Sequence, residues 1–130
     1  MNFELTEDQQ TILDAAREIC QEVLAPKADE IDRKGEFPWE NVKLLAESGM
    51  SGIPIPEEYG GLGSDFVTWA LVGEEIAKAC STTGAIYGAN ILCIYPIYMF
   101  GTEEQKRKYL VPLAQGEKIG GFGLTEPNAG

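Results

Sequence analysis

The sequence contains no histidine. That absence removes the commonest general base, the commonest metal ligand and any Ser–His or Cys–His nucleophile pair from these residues. Cysteine is sparse: Cys20, Cys80 and Cys93 match no zinc-binding spacing, and their odd number gives no disulfide framework. All three fall among apolar residues on expected helices, so they are expected as buried core thiols and no metal site is expected. Basic residues are also few, 10 against 21 acids, for a net charge of −11. A surface this acidic repels phosphate backbones, so nucleic acid is not an expected partner. No run reaches the roughly 18–20 uninterrupted apolar residues of a membrane span. Residues 1–8 show no basic region, no apolar leader and no Arg-rich transit pattern, so a cytoplasmic protein without a membrane partner is expected.

What is present is ordinary globular composition, 44% hydrophobic and 24% charged over 130 residues, enough for one domain. Thr6 and Gln9 have the spacing of a capping box, with Leu5 placed to act as a staple. Apolar residues then recur at Ile12, Leu13, Ala16, Ile19, Cys20, Val23 and Leu24, one face of a first helix. Pro26 is expected to kink or end it, and Lys34-Gly35 to be the exit. Pro38 and Gly49 bracket a second helix. Residues 51–64 carry two prolines and four glycines, which forbids regular structure, while Ile53, Ile55, Tyr59 and Leu62 have reason to be buried. Asp65 caps a third helix reaching about Cys80. A fourth runs from Ser81–Thr83 to Phe100, interrupted by Pro96, and Thr102 with Gln105 starts a fifth that Gly116 ends.

After Lys118 the pattern changes. Ile119 to Thr125 is too short and too glycine-rich for a helix and reads as a strand, followed by a turn at Glu126-Pro127-Asn128. A strand with no partner in the sequence implies that the polypeptide continues.

Three segments carry a family resemblance. They are Pro56-Glu57-Glu58-Tyr59-Gly60-Gly61-Leu62-Gly63, then the run from Phe100 to Leu110 (FGTEEQKRKYL), and Gly123-Leu124-Thr125-Glu126-Pro127-Asn128-Ala129-Gly130. In this order and at these separations they resemble the acyl-CoA dehydrogenases. The resemblance implies an all-α N-terminal helical domain of about five helices, residues 1–117, and the first strand of a middle β-domain, 118–130, with a C-terminal helical bundle beyond. It implies FAD held at the cofactor-binding positions Phe122, Leu124, Thr125 and Gly130. It also implies a substrate pocket lined by the fourth helix, at Gly88, Leu92, Tyr95 and Pro96, with Tyr87 and Tyr95 adding bulk suited to a short or compact acyl group. The implied reaction oxidises the α,β carbons of an acyl-CoA to the trans-2-enoyl-CoA: a glutamate base removes the α-proton while a hydride equivalent leaves the β-carbon. Electrons pass on to an electron-transferring flavoprotein, and the full-length protein is expected as a homotetramer. No residue here is the catalytic base, which is expected beyond Gly130, so the isolated chain is expected to be inactive and not to retain FAD.

Bland readings stand beside these. Thr-Glu-Pro-Asn is also an ordinary turn sequence. Gly84, Ala85, Gly88 and Ala89 also suit close helix packing. Glu57, Glu58, Glu74 and Glu75 read as solvated or helix-stabilising charge rather than acid–base pairs, and Lys106-Arg107-Lys108 as an exposed basic edge late in a helix. A non-catalytic helical interaction module and an acyl-CoA oxidase on the same scaffold are the alternative functions.

Overall fold

The computed structural model describes residues 4–129, so Gly130 lies outside the described residues. The first helical rod is α1 (Glu7–Ile19), a π-helical turn (Cys20–Leu24) and α2 (Ala25–Lys34). Thr6 caps it through the expected reciprocal box: its hydroxyl accepts from the Gln9 N–H, and the Gln9 side chain accepts from the Thr6 N–H. Gly35, at φ 63°, ends it in the left-handed conformation that glycine adopts without cost.

Pro26 neither ends nor breaks the rod. A proline lacks an N–H and its ring crowds the carbonyl four residues back. Here the preceding turn widens, and the Ala25 N–H bonds to the Cys20 carbonyl five residues back. The same device recurs at Pro112. A π turn (Lys106–Leu110) lies between α6 (Glu103–Gln105) and α7 (Val111–Ala114), and the Val111 N–H reaches the Lys106 carbonyl. Both π turns end two residues before a proline, and each lets its helix run on past it.

Between these rods lie α3 (Trp39–Glu47), α4 (Phe66–Ala79) and α5 (Ser81–Phe100). A single extended residue, Cys80, separates α4 from α5. The hairpin closes tightly because Gly84 has no side chain: a Cβ there would lie 2.7 Å from the Ala77 Cα. A buried chain of hydrogen bonds braces the junction. The Asn41 amide donates to the Thr83 hydroxyl at 2.9 Å, and that hydroxyl donates to the Cys80 sulfur at 3.2 Å.

The core has two lobes. One gathers Ala16, Cys20, Leu24, Val72, Ile76 and Tyr87; the other gathers Ile55, Tyr59, Ile91, Ile94, Leu110 and Leu113. Trp69 packs against both. Burying one such leucine or isoleucine stabilises by about 1.5–3 kcal/mol, so the two lobes are the main favourable contribution to folding. Ion pairs sit at the rim, among them Arg17–Glu75 at 3.3 Å and Lys78–Glu74 at 2.7 Å.

Several expectations are corrected here. Ile119 to Thr125 forms no strand, and no sheet occurs among the described residues; only a turn bridge joins Glu126 and Ala129. A strand needs a hydrogen-bonding neighbour, and these residues have none among the described residues. Cys93 is half-buried rather than a core thiol, while Cys20 and Cys80 are buried. Leu62 is exposed beside Gly49. The cations at 106–108 are not at a helix end. They sit mid-rod on aromatic faces, Lys106 over the Tyr59 and Tyr98 rings, Arg107 over Tyr59, and Lys108 over Tyr109.

Candidate functional site

Helix α5 contains no charged residue, in a chain with 31 acids and bases combined. Its apolar character goes all the way round. By length and hydropathy it could cross a membrane, yet its inner face packs in the core through Thr83, Tyr87, Ile91 and Ile94. A helix apolar on every side is normally covered on every side. Here the outer face is open: Ala85, Ala89 and Pro96 are exposed, Leu92 is 51% exposed and Met99 48%. At about 100° per residue these positions form one stripe, with Gly88 and Tyr95 along one edge.

The structure therefore brings Gly88, Leu92, Tyr95 and Pro96 together on one uncharged surface. It also separates the two glycines that the sequence pairs. Gly84 is required by close approach to α4, whereas a Cβ on Gly88 would meet nothing within 4 Å. The space beside Gly88 is open, which the packing reading of that glycine does not explain.

Tyr87 does not share this surface with Tyr95. It is buried, its ring stacked on Trp69 with centroids 5.4 Å apart. Tyr95 is partly exposed and meets Phe66 edge-on at 4.8 Å, and Phe66 in turn meets Trp69 at 6.3 Å. The two tyrosines are thus the ends of one aromatic run from surface to core. Burial holds the Tyr87 hydroxyl well above the usual phenol pKa, and that hydroxyl has no hydrogen-bond partner among the described residues.

The second group of sequence-derived positions follows the last helix. Phe122 is 52% exposed and Leu124 69%, and Thr125 is exposed beside them. From Gly121 to Thr125 no backbone N–H or carbonyl has a partner within the described residues. Cβ atoms on Gly121 and Gly123 would meet nothing. This is a row of free donors flanked by open glycines and two exposed apolar side chains. Gly130 lies outside the described residues. Just upstream, the Gly120 N–H donates to Asn90 Oδ1 on α5 at 2.8 Å. Asn90 is a residue that sequence reasoning missed: nothing in its local pattern marks a contact 30 residues away.

The four glutamates lie where solvated or paired charge is expected. Glu74 pairs with Lys78 and Glu75 with Arg17, while Glu57 and Glu58 are exposed. Among the described residues no three His, Cys, Asp or Glu side chains converge to hold a metal.

Comparison with known proteins bears on these features together. Residues 6–117 match the family described as acyl-CoA dehydrogenase, N-terminal domain. The short-chain specific acyl-CoA dehydrogenase of Clostridium acetobutylicum is 51% identical over 131 aligned positions, covering 100% of this chain and 35% of that protein. The structure of butyryl-CoA dehydrogenase from Megasphaera elsdenii superposes with a TM-score of 0.93 at 43% identity, covering 100% of this chain and 35% of that one. A structure reported as the electron transferring flavoprotein of Acidaminococcus fermentans superposes at 0.95 with 49% identity, covering 100% of this chain and 34% of that one. The chain thus spans about a third of the length of the relatives it matches. The helical fold, the capped rods and the family match agree: this chain belongs to the acyl-CoA dehydrogenases, oxidoreductases whose N-terminal domain it carries.

Proposed function

We propose that the full-length protein is an FAD-dependent acyl-CoA dehydrogenase that converts a short or compact acyl-CoA to its trans-2-enoyl-CoA, with an electron-transferring flavoprotein as acceptor and a homotetramer as the assembly. Residues 1–117 are its helical domain, and 118–130 open the part that meets the cofactor. The observation that carries this reading is the uncharged stripe on α5 with open space at Gly88, lying on the same body as a row of unpaired backbone donors.

The residues present fit a flavin. A flavin ring has apolar faces and a pyrimidine edge carrying carbonyl acceptors around one N–H donor, and Gly121–Thr125 offers free N–H and carbonyl groups with two exposed apolar side chains among them. Thr125 would hold a flavin carbonyl oxygen by its hydroxyl and N–H, Leu124 by its backbone, and Phe122 would pack against the ring or the substrate. Gly130 would let the backbone approach. When bound, FAD supplies the acceptor for the hydride equivalent that leaves the β-carbon. Donors held along the ring edge in the full-length protein would favour charge developing there, since they would need no reorganisation at the moment of reaction.

On the substrate side, Gly88 leaves room and Leu92 with Pro96 gives an apolar wall. Tyr95, braced by Phe66, limits its length. Names given to relatives, short-chain specific and butyryl-CoA, support a short acyl group. The test is the chain-length profile of kcat/KM for the full-length protein with saturated acyl-CoAs. A maximum at short chains is expected. A maximum at long straight chains refutes the substrate assignment.

A further inference from the structure

Between Lys118, whose N–H bonds to the Pro112 carbonyl, and the turn at Glu126, the chain makes one hydrogen bond among the described residues. It is the bond from the Gly120 N–H to Asn90 Oδ1, at 2.8 Å. The contact is shaped as well as bonded. A Cβ on Gly120 would lie 2.5 Å from the Cys93 Cβ and 2.7 Å from its sulfur, so only glycine lets the backbone lie flush on α5. Ile119 beside it lines a small cleft together with Val42, Leu45 and Ile86. Downstream, Gly121 to Thr125 has no tether of its own.

We infer that Asn90, with the Gly120–Cys93 contact, is the positioning device that sets the flavin-facing segment against the substrate face of α5. Asn90 lies two residues before Leu92 on one rigid helix. The amide that fixes the segment and the side chain that lines the acyl surface therefore keep a constant offset. Asn90 touches neither ligand in this assignment; it acts through Gly120. The inference rests on the flavin reading of residues 122–125.

The test uses the full-length protein and four variants: Asn90→Ala, Asn90→Asp, Gly120→Ala, and Gly120→Ala combined with Cys93→Gly. The readouts are the FAD dissociation constant, the shape of the bound flavin absorption band, and amide exchange across 119–125. Asn90→Ala removes the only acceptor. About tenfold weaker FAD binding, an altered band shape and faster exchange in 119–125 are expected, as for loss of one hydrogen bond. Asn90→Asp keeps an acceptor oxygen and is expected to stay within about twofold of wild type. Gly120→Ala is expected to weaken binding more than tenfold. Removing the Cys93 side chain in the double variant is expected to restore binding to within about threefold, because both clashing atoms are gone.

If Asn90→Ala and Gly120→Ala fold and bind FAD with wild-type affinity and spectrum, the inference is overturned. Should Asn90→Ala fail to fold, the second pair decides: absence of rescue by Cys93→Gly overturns it. A wild-type protein that takes up no FAD overturns the flavin reading itself, and the positioning role falls with it. That outcome is distinct from one in which wild type binds FAD and the variants bind it equally.

Discussion

Replacing Gly61 by alanine separates two reasons a loop can need glycine. Gly61 sits in the 51–64 segment, with its backbone pressed against the backbone of Gly52 and Ile55. An added Cβ would lie 2.0 Å from the Ile55 carbonyl oxygen and 2.6 Å from that of Gly52. Carbon–oxygen contacts ordinarily sit at about 3.3 Å, so the strands of the loop must part by more than an ångström. Three hydrogen bonds span that gap: Leu62 N–H to the Gly52 carbonyl at 3.0 Å, Gly63 N–H to Ile55 at 2.8 Å and Ser64 N–H to Ile53 at 2.9 Å. At about 1 kcal/mol each, with Ile53 and Ile55 partly unpacked as well, the expected loss is about 3–4 kcal/mol. Gly63 is the control. Its φ is 65°, but its Cβ would make only ordinary contacts with Glu57, at 3.6 Å from Cγ and 3.9 Å from the backbone nitrogen. Its replacement by alanine costs only the left-handed backbone penalty, about 1–2 kcal/mol. Equilibrium urea unfolding, followed by fluorescence of Trp69 between the two core lobes, measures both. A Gly61→Ala loss equal to or smaller than that of Gly63→Ala refutes the packing argument.

Four further outcomes are expected. Gly84→Ala should destabilise the fold by about 1–3 kcal/mol through its contact with Ala77, whereas Gly88→Leu should leave thermal stability unchanged or higher and lower kcat/KM at least tenfold, since Gly88 faces open space. Asp65 caps α4 by accepting from the Thr68 N–H, and that bond, then the Thr68 hydroxyl and Gln9, hold its carboxyl below the usual 3.8. Its contribution is present above about pH 4 and lost as pH falls through the folded value, so Asp65→Ala should cost about 1 kcal/mol at pH 7 and less in acid, measured by urea midpoint. Burial, then Glu75, pushes the Cys20 thiol up to about 11 from 9.0, so the stability tied to its neutral form should be present below pH 9 and lost as pH rises toward 11; Cys20→Ala should flatten that alkaline decline. An FAD titration of the 130-residue chain alone should show no tight, saturable binding, because its flavin-facing segment is open on one side.

Much of the fold was legible because its signals are local. Thr6 with Gln9 and Thr102 with Gln105 have capping-box spacing, and both boxes form. Asp65 caps α4, and Gly35 and Gly49 end helices in the left-handed conformation. The errors were of a different kind. Pro26 reads as a kink or an end with helix able to resume to Lys34, and the sequence does not show that a π turn over Cys20–Leu24, both buried in the core, carries the rod through it unbroken. Ile119–Thr125 reads as a strand by composition, but strand formation requires a neighbouring backbone that these residues do not have among the described ones. The α5 stripe was partly legible. Small residues at four-residue spacing mark both close packing and open space, and only the three-dimensional neighbours assign Gly84 to the first and Gly88 to the second. Tyr87 and Tyr95 lie on different faces of one helix, which their eight-residue separation does not reveal without knowing which face is buried. Asn90 was invisible, since its partner Gly120 lies on another element altogether.

The most direct test of the central claim is the visible spectrum of the full-length protein, recorded anaerobically before and after addition of a short acyl-CoA. A bound-flavin band in the blue that bleaches on addition, fastest with short acyl chains, is expected. A colourless protein that takes up no added FAD, or a bound flavin that no acyl-CoA bleaches, would contradict that claim.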